Sequence, residues 1–145
     1  MPTKRNLTAE VVLLKKSKKS KYGIKKVTRD GATYDSPLEY RRFCELSRLE
    51  EAGEITDLKR QVAFDLIPTQ REETCAVYTK GKNKGMPKPG RVLERGVKYI
   101  ADFVYTVSST GEVIVEDTKG VKTVDYILKR KMMLYFHNIR IKEIE

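Results

Sequence analysis

Two neighbouring segments rich in branched and aromatic residues constrain the fold of this chain more than any other feature. Residues 97–107 and 112–119 carry mainly Val, Ile, Tyr and Phe, often at successive positions. Strands that are apolar on both faces lie in the middle of a sheet that is covered on each side. The four residues 108–111 between them predict a tight antiparallel hairpin.

The segments around this hairpin predict the covering helices. Ser36 is a helix N-cap, Pro37 occupies the first helical position, Glu39 completes a capping box, and Gly53 ends the helix. Strands are predicted over 58–67, 75–78 and 139–141. A second helix is predicted from about 124 to 136, with an inward face made of Val124, Ile127, Leu128, Leu134 and Tyr135. The element order αβββαβ predicts an α/β (α+β) fold in which helices flank a mixed sheet.

The positive charge is concentrated at one end of the chain. The net charge is +10, and residues 1–30 hold ten basic and two acidic side chains. We expect a basic, flexible N-terminal arm over 1–30 and one domain over 31–145, which carries a mobile basic loop at about 80–95. Such charge suits the phosphates of a nucleic acid, although a solubilising tail remains the alternative. The lysines expected to contact nucleic acid are Lys15, Lys16, Lys18, Lys19, Lys80, Lys82, Lys84 and Lys129.

Several classes of protein are excluded by what the chain contains. No apolar run reaches the roughly 20 residues of a membrane helix, and no signal peptide is evident, so we expect a cytoplasmic protein without a membrane partner. Cys44 and Cys75 are far apart, and His137 is the single histidine. Structural zinc sites, disulfide scaffolds and His-based triads are therefore not expected.

Charged residues interrupt the two apolar strands. Asp102 lies in the middle of the first strand, and Glu116, Asp117 and Lys119 follow in the second. If the turn is centred between residues 109 and 110, Asp102 faces Asp117 and Lys119 shares their face, while Glu116 and Thr118 point to the other side. An unpaired carboxylate in such a strand costs several kcal/mol, so each of these groups needs a partner.

A divalent cation is one such partner. Two close carboxylates repel unless a cation lies between them, and oxygen ligands favour Mg²⁺ or Mn²⁺ over zinc. A protonated lysine beside the cation can hold an attacking water or stabilise charge on a phosphate. The alternative is a buried Asp–Lys ion pair. Glu39 lies on the same helix stripe as Phe43 and Leu46, so it can cap the helix, reach the metal, or do both.

The order of Glu39, Asp102 and Asp117-Thr118-Lys119 on helix, strand and strand resembles the PD-(D/E)XK nuclease superfamily, whose core is restriction-endonuclease-like. The segments 35–39, 52–55, 101–103 and 116–120 are most similar to a small prophage-associated branch of that superfamily. The resemblance covers roughly residues 30–145. It departs from the pattern at Ala101, where the superfamily often has proline before the first aspartate.

The resemblance implies Mg²⁺-dependent hydrolysis of DNA. Asp102 and Asp117 would bind the metal, Lys119 would orient the water, and Glu39 would complete the site. A polar side chain of the second helix often joins such sites, which makes Tyr126 and Lys129 candidates, although an ordinary helix surface is the preferred interpretation for both. Gln61 is a weaker candidate.

The sequence therefore predicts a Mg²⁺-dependent (or Mn²⁺-dependent) endonuclease acting on double-stranded or branched DNA, such as four-way junctions, in phage recombination, replication or repair. Symmetric cutting of two strands would favour a homodimer. Two alternatives stay open at this point. One is a non-catalytic nucleic-acid-binding protein with a structural Asp–Lys cluster, and the other is a nuclease that cuts RNA.

Overall fold

The computed structural model describes residues 25–145, and two helices and eight strands lie within this range. In chain order they are β1 (Val27–Arg29), β2 (Ala32–Tyr34), α1 (Pro37–Glu51), β3 (Ile55–Ile67), β4 (Gln70–Arg71), β5 (Val92–Glu94), β6 (Val97–Val107), β7 (Val113–Thr118), α2 (Val124–His137) and β8 (Lys142–Ile144). Without the short ribbons β1–β2 and β4–β5, the order is αβββαβ. The predicted mixed α/β fold class is confirmed.

The central sheet has the strand order β3-β6-β7-β8. β6 pairs antiparallel with β3 and β7, whereas β8 lies parallel to β7. Phe103 is opposite Glu116 and Tyr105 is opposite Ile114, which is the register predicted from the hairpin turn. The last strand is predicted three residues too early, because Ile139 and Ile141 pack into the core before β8 begins.

The two helices cover opposite faces of this sheet. Leu46 of α1 packs with Ile55, Phe103 and Tyr105. Tyr126 and Met133 of α2 pack with Tyr99, Ala101 and Val115 in a second cluster. Ile114 contacts the first cluster and its neighbour Val115 belongs to the second, as the alternation of side chains along a strand requires. Both faces of β6 and β7 are therefore covered over much of their length, as predicted from their composition, whereas Ile100 and Val113 are exposed.

The start of α1 forms as predicted, with one change. Ser36 Oγ accepts a hydrogen bond from the backbone N–H of Glu39 at 3.1 Å, and Gly53 follows the helix with φ of +76°. The carboxylate of Glu39 accepts from the N–H of Asp35 at 2.5 Å rather than from the N-cap residue itself. The capping interaction thus fixes the Glu39 side chain at the helix N-terminus.

The predicted inward face of α2 is largely wrong. Tyr126 and Met133 are the buried residues, whereas Val124 is 85% exposed and Tyr135 is 83% exposed. Leu128 and Leu134 are also exposed, and only Ile127 of the predicted face packs against the core. Apolar residues occur all round this helix, so their spacing does not select one face. The result is an apolar stripe on the outer side of α2, made of Val124, Leu128 and Tyr135.

The segment between β3 and β6 is an extended hairpin rather than a strand followed by a loop. Beyond β4 and β5, the two halves pair through the bridge between Val77 and Pro87. A Cβ atom on Gly90 would lie 1.9 Å from the carbonyl oxygen of Glu72, so the halves approach too closely for any side chain there. We call residues 68–96 the basic hairpin. The strand predicted over 75–78 is reduced to the single bridge, and strand β5 lies inside the predicted loop.

Regular structure is also present before the predicted start of the domain at residue 31. β1 and β2 form a hairpin whose turn holds Asp30 and Gly31 at φ of +51° and +77°. Residues 27–30, which the charge pattern assigns to the arm, therefore belong to this hairpin. No helix within residues 25–145 is long and apolar enough to cross a membrane.

Candidate catalytic pocket

A cavity of about 500 Å³ opens where α1, α2, β6 and β7 meet. Glu39, Asp102, Lys119 and Tyr126 line it. The N-terminal ends of both helices reach it, because its lining also includes Ser36, Leu38 and Thr123. Backbone N–H groups at helix N-termini favour anions, so the cavity suits a phosphate group beside its carboxylates.

Glu39 is buried at the first turn of α1, with 1% of its surface exposed. Its Oε1 accepts a hydrogen bond from Gln61 Nε2 at 3.0 Å, and a guanidinium nitrogen of Arg60 lies 3.6 Å from the same oxygen. Burial raises the pKa of Glu39, and the charge of Asp102 raises it further. These partners hold the Glu39 carboxylate in place, although burial disfavours its charged form.

Asp102 takes its place at the end of the β6–β7 ladder. The paired residues end at Phe103 and Glu116. Beyond this pair, Asp102 Oδ2 accepts from the backbone N–H of Thr118 at 2.8 Å and bonds the Thr118 hydroxyl at 2.7 Å. Beyond the last pair, the Asp102 carboxylate therefore provides the hydrogen-bond acceptor that links β6 to β7. Its other oxygen, Oδ1, lies 3.3 Å from Gln61 Nε2 and accepts a hydrogen bond from it.

Asp117 is fully buried behind this surface. Its Oδ2 accepts a hydrogen bond from the Tyr99 hydroxyl at 2.6 Å. Its Oδ1 lies 3.0 Å from Lys119 Nζ but accepts no well-aligned hydrogen bond. Burial raises the pKa of Asp117, and the nearby charge of Asp102 adds to this, while Tyr99 and Lys119 oppose it. The Asp102 charge acts on Asp117 because the predicted register brings these two carboxylates near each other.

Lys119 connects Asp117 with the cavity. Its side chain is 33% exposed, and its Nζ lies 5.2 Å from the centre of the Tyr126 ring. This ammonium group therefore contacts a buried carboxylate on one side and faces the cavity on the other. A cation held in this way can contact an anionic ligand without losing its own partner.

The predicted cluster is brought together, but in a different arrangement from that predicted. Glu39, Asp102 and Lys119 line one cavity, whereas Asp117 is buried beside it, with Oδ1 3.0 Å from Lys119 Nζ. Within residues 25–145, no three Asp, Glu, His or Cys side chains form a ready-made metal-binding group. The donor atoms nevertheless fit Mg²⁺ or Mn²⁺, because all are carboxylate oxygens and Asp117 Oδ1 is buried without a hydrogen bond.

Three residues around the cluster differ from the sequence interpretation. Thr118 is predicted to point away, yet its hydroxyl donates a hydrogen bond to Asp102, beyond the last pair of β6 and β7. Tyr126 is not on an ordinary surface: it is 6% exposed and its hydroxyl bonds Glu143 at 3.0 Å. Tyr99 is missed altogether, although a hydroxyl in an apolar strand signals a buried acceptor.

Glu116 points to the opposite face, as predicted. It is buried against α1, where it accepts hydrogen bonds from Arg42 at 2.8 and 2.9 Å and from the Tyr105 hydroxyl at 2.5 Å. Burial raises the pKa of Glu116, but these donors and Lys142 lower it overall. Glu116 therefore has partners of its own and is separate from the cavity.

The predicted nucleic-acid contacts lie in different parts of the chain. Lys80, Lys82 and Lys84 are exposed at the tip of the basic hairpin. Lys129 is half-buried on α2 and does not line the cavity. The four lysines of the predicted arm, Lys15, Lys16, Lys18 and Lys19, lie outside the described residues.

Comparison with known proteins assigns a family to the chain. Residues 19–144 match the family described as "Protein of unknown function (DUF1064)", and the chain belongs to this family. No curated protein and no solved structure matches the chain significantly.

Proposed function

We propose that this protein is a metal-dependent endonuclease that hydrolyses phosphodiester bonds in DNA. The observation that carries this proposal is the convergence of Glu39, Asp102 and Lys119 on one cavity at two helix N-termini. A fourth group, the buried carboxylate of Asp117, forms an ion pair with Lys119. Carboxylates, an ammonium group and helix N-termini together suit a divalent cation and a phosphate.

The residues of the chain have separate roles in this proposal. Asp102 and Asp117 would hold Mg²⁺ or Mn²⁺, and Glu39 would complete the ligand set. The bound cation supplies a water of lowered pKa and neutralises phosphate charge. Lys119 stabilises negative charge that develops on the phosphate oxygens, and the pair with Asp117 keeps its ammonium in position. Thr118 fixes the Asp102 carboxylate through its N–H and hydroxyl.

The basic hairpin supports DNA as the partner. Between residues 75 and 90 it has four lysines and no acidic residue. The hairpin links the end of β3 to the start of β6, and β6 carries Asp102, so the charged tip and the cavity are connected through the same two chain segments. Lysines on such a ribbon contact phosphates without reading base sequence. We therefore propose duplex or branched DNA in the cytoplasm of a bacterial or phage-infected cell as the substrate.

A homodimer is part of the proposal, because two strands of a duplex or junction need two active sites. The observation that favours it is the apolar stripe of Val124, Leu128 and Tyr135 on the outer side of α2. A stripe of this kind would pack against the same stripe of a second copy. Val121 precedes it and lines the cavity, so the dimer surface would adjoin the catalytic pocket.

A non-catalytic nucleic-acid-binding protein is the second candidate. The Asp117–Lys119 ion pair favours it, because this pair already compensates the buried carboxylate without a metal. A binding protein would show DNA affinity with no Mg²⁺-dependent cutting.

The test is a cleavage panel over linear, flapped, forked and four-way DNA with and without Mg²⁺ or Mn²⁺. The proposal expects cation-dependent cutting that Asp102→Asn abolishes while DNA binding is retained. Lys98→Met is the matched control for Lys119→Met, because Lys98 also pairs with an aspartate, at 3.2 Å, but outside the cavity. Equal loss in both lysine variants would contradict the assignment of Lys119.

A further inference from the structure

Gln61 has an unusual backbone conformation for its place in the fold. It lies inside the 13-residue strand β3, yet its φ is +51°. The pairs on either side, Arg60 with Phe103 and Val62 with Ala101, keep the same register, so no bulge accounts for this conformation. Left-handed backbone is unfavourable for a glutamine, and it persists only where the surroundings impose it.

The side chain of Gln61 joins the two carboxylates of the cavity. Its Nε2 lies 3.0 Å from Glu39 Oε1 and 3.3 Å from Asp102 Oδ1. One amide nitrogen thus donates both of its hydrogens, one to helix α1 and one to strand β6. The amide oxygen could not take this place, because it would face two carboxylate oxygens.

We propose that Gln61 is a positioning residue of the cation site. Without its amide, the repulsion between Glu39 and Asp102 would turn the two carboxylates apart. With it, two oxygens from separate elements converge before any cation arrives, which lowers the cost of binding one. The left-handed backbone is retained because it directs the amide to both acceptors. This inference rests on the proposed function.

Substitution of Gln61 by glycine separates the effect of the side-chain amide from the effect of the left-handed backbone. Gln61→Gly removes the amide and also relieves the backbone, so it should melt about 2–4 °C above Gln61→Met, and it should weaken Mn²⁺ binding and cleavage roughly tenfold. A side chain that serves only stability would leave Mn²⁺ binding by the folded variants unchanged. Gln61→Met keeps the length of the side chain without its donors, and it should weaken Mn²⁺ binding with no gain in melting temperature.

Asp57 provides the matched control. It lies in the same strand with φ of +56°, at an irregular part of the pairing between Thr56 and Lys59, and it does not line the cavity. Asp57→Gly should therefore relieve its own backbone and raise the melting temperature, and leave Mn²⁺ binding and cleavage unchanged.

The experiment measures melting temperature, Mn²⁺ binding by calorimetry and DNA cleavage for the wild type and the three variants. Weakened Mn²⁺ binding in both Gln61 variants, with Gln61→Gly melting above Gln61→Met and Asp57→Gly binding Mn²⁺ as the wild type does, supports the inference. Wild-type Mn²⁺ binding in Gln61→Gly, or a melting temperature of Gln61→Gly no higher than that of Gln61→Met, overturns it and leaves the nuclease proposal standing. A wild type that neither binds Mn²⁺ nor cuts DNA overturns both.

Discussion

Replacing Lys119 by methionine tests the link between the buried carboxylate and the cavity. Methionine keeps the stem that lies near the Tyr126 ring but removes the charge that lies 3.0 Å from Asp117 Oδ1. Asp117 is fully buried, so the variant leaves a buried charge with the Tyr99 hydroxyl as its remaining donor.

The size of the effect follows from the burial of the two partners. Removing one member of a buried pair costs about 3–5 kcal/mol, and the partial exposure of Lys119 reduces this to roughly 2 kcal/mol. For a chain of this size the melting temperature should fall by roughly 4–8 °C. Lys98→Met breaks a pair whose side chains are 63% and 75% exposed. This control should cost no more than about 1 kcal/mol.

The stability lost in Lys119→Met should depend on pH, and the titration of Asp117 sets the direction of this dependence. Burial holds the pKa of this carboxyl above its ordinary value, and removal of Lys119 raises it further. A carboxyl with a raised folded-state pKa destabilises the fold when it is ionised, and this penalty disappears as pH falls through that pKa. The deficit of Lys119→Met should therefore shrink in acid, while that of Lys98→Met stays small throughout.

Thermal unfolding of the three proteins between pH 4 and pH 8, without divalent cations, measures this difference. Cleavage by Lys119→Met should also fall about 10²–10³-fold. Equal deficits for the two variants, or a Lys119→Met deficit that grows in acid, would refute the assignment of the buried pair.

Three further predictions concern the hairpin and the outer surface. Replacing Lys80, Lys82 and Lys84 together by glutamine should reduce the salt dependence of DNA binding by about 2–3 in log–log slope, and an unchanged slope would exclude these contacts. Gly90→Ala places a Cβ 1.9 Å from the Glu72 carbonyl oxygen, so it should weaken DNA binding measured by anisotropy while cation binding persists; normal DNA affinity would contradict this. Leu128→Glu should convert a dimer into a monomer in light scattering, and a wild type that is already monomeric would remove the homodimer from the proposal.

Features set by short-range chemistry were predictable from the sequence. Ser36 and Pro37 define the start of α1 because capping involves residues within one turn. The register of β6 and β7 follows from the length of their turn, and it brings Asp102 near Asp117. The convergence of Glu39 with these strands was likewise expected from its place on the helix stripe.

Features that depend on tertiary packing were not predictable. The inward face of α2 is set by Tyr126, whose hydroxyl reaches Glu143, and not by the most apolar stripe of the helix. The hydrogen bond from the Thr118 hydroxyl to Asp102 forms beyond the last pair of β6 and β7, where the predicted register no longer gives the contacts. The left-handed backbone of Gln61 has no signature in its neighbours, because it arises from acceptors on two distant elements.

Cleavage at matched DNA occupancy tests the central claim most directly. Wild type and Asp102→Asn are compared on linear, forked and four-way DNA, at protein concentrations that bind equal fractions of each substrate, with Mg²⁺, with Mn²⁺ and with neither. The nuclease proposal predicts that the wild type cuts only with a cation and that Asp102→Asn binds without cutting. Bound DNA that stays intact with the wild type in both cations, or equal cutting by the variant, would contradict it.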